Sequence, residues 1–472
     1  DHSAIWPAAF NLQVAYNAEG EAVLGFISSQ YERQYLSAAD IDNDGIVEFV
    51  SQAWEWTSEQ NKLLIFDPYE EYWRDEGGIP FFLFRTRVLL DDAGKEGCRP
   101  TLADLDGDGL LEIALRTKNK IWLFRQDGTL VTGWPKGTLP SSSYCPNGNS
   151  LMAVADLDAD GVEDLIVAEE MVEKESEETE SSSSSGGSGG GGSGGNVSEV
   201  IVEEVTEEMT EEPAETLMVY AWHGDGSPVA GWPVQLATSA IRTLLVAETN
   251  VWEEKFRERM PLQARQAEGL STIPSTNVII GGDNVFVLRF SGEIISKFYG
   301  PWNFLVGNFD GKIRLLDNWG MYDDEGQFIA EYQRVEKEWT YNPHIADSDG
   351  DSTAEILLIK YRQLLDWKSE VAGIVAYDKD GLEKQRWSIP DTWKAEHFIV
   401  DDINADKKAD IIFLMDRGLI FLPLEGSADE IQWGQNGIDN RQTNFFEQKV
   451  PFIREMERPV VQEGVQREVR RR

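Results

Sequence analysis

The phrase Asp104-Leu-Asp-Gly-Asp-Gly-Leu-Leu-Glu112 constrains this chain more than any other stretch. Asp104, Asp106, Asp108 and Glu112 stand at positions 1, 3, 5 and 9 of a short loop, with Gly109 at position 6. Alternate residues of a tight turn send their oxygens inward, and a glycine at position 6 allows the sharp bend that wraps a hard cation. Short apolar runs flank the loop, Thr101-Leu-Ala before and Ile113-Ala-Leu after. Runs of that length and type predict a β-hairpin around the loop rather than a pair of helices.

The phrase recurs four more times. It returns with Asp40, Asp42, Asp44 and Glu48, then with Asp156, Asp158, Asp160 and Asp164. It returns again with Asp347, Asp349, Asp351 and Glu355, and last with Asp402, Asn404, Asp406 and Asp410. One Asp-Gly turn is common; the same spacing and flanks repeated along one chain are specific. Carboxylates crowded this closely repel one another unless a cation sits among them. Oxygen-only donor sets of this kind suit Ca2+, so the spacing predicts about five calcium sites.

Further repeated text follows each loop. After the second come Lys120-Ile-Trp-Leu-Phe-Arg, an Asp127-Gly turn and Leu130-Val-Thr-Gly-Trp-Pro135. After the third come Leu217-Met-Val-Tyr-Ala-Trp, an Asp225-Gly turn and Val229-Ala-Gly-Trp-Pro233. The unit is therefore strand, acidic loop, strand, link, strand, Asp-Gly turn, strand. Four antiparallel strands of this kind make one propeller blade. First strands near residues 37, 101, 153, 242, 304, 344 and 399 predict seven blades. The last unit lacks its Gly-Trp-Pro strand while the chain carries Ile5-Trp6-Pro7 near its start, so the N-terminal strand is expected to complete the last blade and remove an open edge.

Two units depart from the pattern. In the fourth, residues 251–269 replace the acidic loop with text of helical spacing. In the fifth, Phe304 to Lys312 holds a shortened loop with too few oxygens to grip an ion. Residues 169–215 are acidic around a Ser/Gly tract and are read as a disordered insert, because such text buries too little surface to offset its ordering entropy. The propeller is expected over residues 1–426. Residues 427–472 form an extension that alternates like a strand, ends in Arg470-Arg-Arg472 and admits three readings: pairing with the protein's own edge, strand addition to a neighbour, or a frayed terminus.

The repeated unit resembles the FG-GAP/VCBS repeats of integrin α-subunit head propellers and related secreted proteins. The resemblance covers about residues 1–426 and implies an all-β, calcium-stabilised seven-bladed propeller with its cation loops on one face and recognition often on the other. Some polysaccharide lyases use similar propellers, so a carbohydrate-active enzyme is the runner-up reading.

Charge, cysteines and missing motifs narrow the function further. The net charge of −42 excludes nucleic-acid backbone as a natural partner. Five divalent ions would return about ten of those charges. The four histidines show no metal-ligand spacing, and no nucleophile or phosphate-cradling motif appears, so the chain reads as a non-enzyme. Tryptophan-rich strands admit a glycan partner by stacking, but Trp134 and Trp232 recur at one place in the unit, which predicts wedges between blades. No apolar run is long enough to span a bilayer as a helix. The chain begins at Asp1 without a signal-peptide pattern, as a trimmed or a cytosolic protein would. Calcium loops of this class work at micromolar to millimolar calcium, which favours an extracellular or secretory setting. Cys98 and Cys145 precede acidic loops in consecutive units; the spacing admits a disulfide or two partly buried thiols. Asn196 begins a glycosylation sequon. The expected role is adhesion, protein–protein interaction or assembly, with a polymer joined by a terminal strand as an alternative.

Overall fold

The computed structural model describes residues 12–16, 22–27, 31–44, 48–55, 60–66, 73–74, 80–81, 84–90, 98–137, 151–171, 216–238, 241–260, 276–301, 303–333, 338–363, 369–388, 395–401, 407–415, 418–428, 431–432 and 445–447. These residues are almost entirely strands, organised as antiparallel sheets whose members follow one another in the chain.

The first large sheet takes Tyr31–Ala39, Glu48–Glu55, Gln60–Phe66 and Phe84–Leu90. The second takes Thr101–Ala103, Glu112–Arg116, Lys120–Phe124 and Lys136–Gly137. The third takes Met152–Ala155, Asp164–Met171, Thr216–Trp222 and Val234–Ala237. The fourth is Ile241–Glu248, Thr276–Gly282, Val285–Arg289 and Ile294–Phe298. The fifth is Leu305–Phe309, Lys312–Leu316, Gly320–Asp323 and Phe328–Glu331. The sixth is Glu338–Ala346, Glu355–Gln363, Ser369–Tyr377 and Glu383–Ser388, and the seventh is Ala395–Asp401, Lys408–Met415 and Gly418–Ser427. Four-stranded sheets are thus the rule, with two departures from the expected uniform blade. The seventh sheet has three strands among the described residues, and the fourth carries an extra strand, Phe445–Glu447, parallel to Val246–Glu248. Ile5 to Pro7, the expected closing strand, lie outside the described residues.

Inner strands such as Glu112–Arg116 and Val285–Arg289 are buried along their whole length, so they read as continuous hydrophobic runs. In the third sheet the two-residue period divides the work. Leu165 and Val167 join a buried cluster with Ala114, Leu123 and Trp134 of the second sheet. Their neighbours Ile166 and Ala168 join Leu244, Val278 and Leu288 of the fourth. Similar clusters link the first sheet to the second, the fourth to the fifth and sixth, and the sixth to the seventh.

The Gly-Trp-Pro phrases lock neighbouring sheets. The Trp134 indole N–H donates to the Gly224 carbonyl at 2.8 Å, in the Asp-Gly turn of the next sheet. The Trp232 indole repeats this on Phe290 at 2.9 Å. Each preceding glycine is demanded twice over. Gly133 has φ +94°, and a Cβ there would meet the Asp225 carbonyl oxygen at 2.3 Å. At Gly231, with φ +92°, the Ser291 carbonyl oxygen would lie at 2.1 Å. The wedge role expected for both tryptophans matches this geometry.

The boundaries of the two inserts need correction. Glu169 is not part of the acidic insert. It continues the strand Asp164–Met171, opposite Met218, and is buried beside Arg116. A buried cation there holds the carboxylate in the sheet. Residues 172–215, with Asn196, lie outside the described residues. The helix expected over 251–269 spans Val251–Arg259 and ends where Met260 turns extended (φ −69°, ψ 147°); residues 261–275 lie outside the described set. Among the described residues no helix is long and apolar enough to cross a membrane.

Past the seventh sheet the chain turns back over its own first strands. Gln432 donates its backbone N–H to Ile345 in the sixth sheet and exchanges two side-chain hydrogen bonds with the Asn308 backbone in the fifth. Phe445–Glu447 then pairs with the fourth. Of the three readings of the extension, these described residues follow the one in which it pairs with the protein's own edge.

Replacing Trp232, which is 6% exposed, by alanine is expected to cost about 3–5 kcal/mol. The same change at Trp319, which is 55% exposed, is expected to stay within about 0.5 kcal/mol. Urea midpoints of the two variants check this pair.

Candidate metal centre

Four of the five acidic loops are described well enough to compare, and one bond organises all four. The carboxylate at position 9 accepts the backbone N–H of position 2. Glu48 takes Ile41 at 2.9 Å, Glu112 takes Leu105 at 2.9 Å, Asp164 takes Leu157 at 3.0 Å and Glu355 takes Ser348 at 2.8 Å. This bond draws the acid from the second strand into the base of the loop. All four are buried, between 0% and 2% exposed. Asp410, the equivalent residue of the last loop, is also buried; Asp402, Asn404 and Asp406 lie outside the described residues.

The position-1 aspartate shapes the rest of the turn. Asp104 accepts the N–H groups of Gly107 and Gly109, Asp156 those of Asp160 and Gly161, and Asp347 those of Asp349, Gly350 and Ser352. Where they are described, positions 4 and 6 take the left-handed conformation. Gly109 and Gly161 supply it at position 6, whereas Ser352 (φ +64°) and Lys407 (φ +67°) adopt it there without glycine. The outcome is a convergence of oxygens. One oxygen from each of Asp40, Asp42 and Glu48 lies within 4.8 Å of the other two. The same holds for Asp104, Asp106 and Asp108, for Asp156, Asp158 and Asp164, and for Asp347, Asp349 and Asp351. Asp44, Glu112, Asp160 and Glu355 are not in these sets, although all four belong to the expected ligands.

Neighbouring loops are stitched together. Leu111 donates to the Ile41 carbonyl at 3.0 Å, and Asp104 donates its N–H to Glu163 at 3.0 Å. The first three loops therefore share one edge of the sheet array.

The second oxygen of the position-9 acid separates the loops. In the second sheet, Glu112 Oε1 is buried and accepts no hydrogen bond. In the third, the His223 Nδ1–H donates to Asp164 Oδ1 at 2.8 Å. In the sixth, Lys384 Nζ lies 2.8 Å from Glu355 Oε1, 2.7 Å from Asp349 Oδ2 and 3.0 Å from Asp351 Oδ2. A buried carboxylate oxygen without a partner is costly, so the 104–112 loop fits a cation. In the 347–355 loop an ammonium already uses those oxygens, and a divalent ion does not fit beside it.

The pKa values of these acids follow the same division. Burial pushes Glu112 up to about 7, with its neighbours Asp106, Asp108 and Asp104 adding to the shift. Burial pushes Asp164 up to about 6, against the opposing effect of the Leu157 N–H and His223. Burial also raises Glu355, opposed by Lys384 and Ser348.

These basic partners are not legible in the sequence as part of the motif. Arg125, His223 and Arg289 each close the same turn at the end of a third strand, accepting the N–H of Gly128, Gly226 and Gly292. Each reaches back to the first connection of its own sheet. Arg125 lies 3.4 Å from Asp106, His223 bonds Asp164, and Arg289 pairs with Glu253 of the helix. In the sixth sheet this position is Asp378, and Lys384 from the fourth strand stands in. Among the described residues the fourth and fifth sheets show no acidic loop. The helix fills one, and in the other Asp310-Gly311 closes a two-residue hairpin with both φ positive. Cys98 is buried and disulfide-bonded; the sequence holds one other cysteine, Cys145, outside the described residues.

Residues 104–167 match the model of the FG-GAP-like repeat. No curated protein sequence is similar enough to count as a relative. The solved structures that resemble the chain are distant. The Dos1 propeller shares 10% identity, with 89% of this chain and 88% of that one covered and a TM-score of 0.45. BBS1N, in its crystal complex with ARL6DN, shares 9% over 88% and 96%, with a TM-score of 0.40. BamB from Moraxella catarrhalis shares 12% over 87% and 96%, with a TM-score of 0.37.

Without divalent ions, Glu112 and Asp164 make stability fall as pH rises. Their folded values lie above the ordinary 4.5 and 3.8, so the folded chain holds these protons more tightly than the unfolded chain. The loss begins near pH 4 and is complete a little above 7. Melting in chelator is expected to be higher at pH 5 than at pH 8, with a smaller difference in Glu112→Gln. Residues 104–167 thus carry an FG-GAP-like repeat, and the same strand–loop–strand unit is built in four sheets.

Proposed function

We propose that the chain is a calcium-stabilised, extracellular interaction module, a closed seven-bladed ring whose ions rivet the edge where the acidic loops meet. The observation that carries this reading is Glu112. Its Oε1 is buried and unpartnered beside a loop where oxygens of Asp104, Asp106 and Asp108 converge. Calcium takes six to eight oxygens and accepts carboxylates from flexible turns, whereas magnesium demands a stricter octahedron and retains water. The disulfide at Cys98 supports an oxidising compartment, as does the calcium range such loops need.

In this reading the acidic loops are structural and the chain catalyses nothing. The ions neutralise carboxylates that the fold has already buried, and the ring becomes a rigid platform. A protein partner is favoured over a polymer joined through the C-terminal strand, because Phe445–Glu447 already pairs within its own chain.

Removing calcium tests the proposal. At calcium a hundredfold above Kd, each saturated site adds about 2.7 kcal/mol to the folded state. A chelator is therefore expected to lower Tm by many degrees in scanning calorimetry, and added Ca2+ to restore it more fully than Mg2+. An identical melt with and without chelator overturns the reading.

A further inference from the structure

We infer that the 347–355 loop is closed by a cation belonging to the chain itself, the Lys384 ammonium, and takes no divalent ion. The inference rests on the calcium reading of the other loops and sets this one apart from them. An ammonium has three N–H donors and no acceptor. Lys384 directs them at Asp349, Asp351 and Glu355, at 2.7, 3.0 and 2.8 Å. Those acids stand at positions 3, 5 and 9, and two of them, Asp349 and Asp351, belong to the set whose oxygens converge in this loop. The lysine and the ion are thus alternatives for one place.

The comparison with the 104–112 loop isolates the cause. Both loops bury the position-9 acid to 1% exposure and spend one of its oxygens on the position-2 N–H. They differ at the other oxygen, which is unpartnered in Glu112 and bonded to Lys384 in Glu355. Arg125, which pairs with the 104–112 loop, approaches Asp106 at 3.4 Å and has a side chain 42% exposed. It guards the rim and leaves the interior to an ion.

Packing holds the sixth loop in its lysine-bound form. The Ser348 hydroxyl adds a second bond to Glu355 Oε2 at 2.8 Å. The next sheet presses on the turn: a Cβ on Gly426 would lie 1.9 Å from the Asp347 carbonyl oxygen, and one on Gly350 would lie 3.0 Å from that of Glu425. A loop that had to open for an ion would lose these contacts. An internal ammonium makes the junction of the sixth and seventh sheets independent of external calcium.

Native mass spectrometry of the full chain, titrated with Ca2+, tests this by counting ions. Asp349→Asn is expected to leave the count unchanged, whereas Asp106→Asn loses one ion. Lys384→Met, which keeps the length of the side chain and removes its charge, is expected to gain one. Loss of an ion in Asp349→Asn, or no gain in Lys384→Met, overturns the inference. An unchanged count in Asp106→Asn instead sinks the calcium reading of the second loop, so the two failures are distinguishable. If Lys384→Met does not fold, Asp349→Asn still decides.

Discussion

Everything in this fold turns on a buried carboxylate that has one oxygen spoken for. The position-9 acid gives its first oxygen to the N–H of position 2, and that bond turns an acidic loop into the corner of a sheet. The second oxygen then faces inward at near-zero exposure, where an unmatched negative charge is expensive. The repeat solves this problem in more than one way. A histidine serves in the third sheet and a lysine in the sixth, while the second leaves the place open. The fourth sheet drops the loop altogether and pairs Glu253 with Arg289. One local problem of charge and burial recurs along the chain, and the sheets answer it differently.

Between sheets, a second set of constraints acts at fixed places. Indole N–H groups of Trp134 and Trp232 meet carbonyls in the following turn, and the glycine before each leaves no room for a side chain. These are directional contacts laid over non-directional packing. Leucine, isoleucine and valine on both faces supply the burial, and the tryptophan wedge fixes how far one sheet slides over the next.

The parts of this architecture visible in the sequence were those that depend on local spacing. The position 1, 3, 5, 9 pattern located the loops, and alternating apolar runs located the strands around them. Loss of the pattern correctly marked the helix at Val251–Arg259 and the tight turn at Asp310-Gly311. The basic partners were illegible because their pairing is set by sheet register. Lys384 lies 29 residues beyond Glu355, and His223 lies beyond a long insert from Asp164. Only the pairing of second, third and fourth strands brings them together. The reach of the strand into Glu169 was hidden for a similar reason: a run of glutamates reads as solvent-facing until Arg116, from another sheet, is placed beside it.

The return of the chain over its own first strands bears on the order in which the molecule is assembled. Asn308 and Gln432 are 124 residues apart, and the strand that completes the fourth sheet comes about two hundred residues after the edge it joins. Contacts so distant along the chain make loop closure slow. During synthesis the second and third sheets can pair as soon as they emerge. The fourth sheet must hold an open edge until Phe445–Glu447 has left the ribosome, so its first strand waits long for that partner.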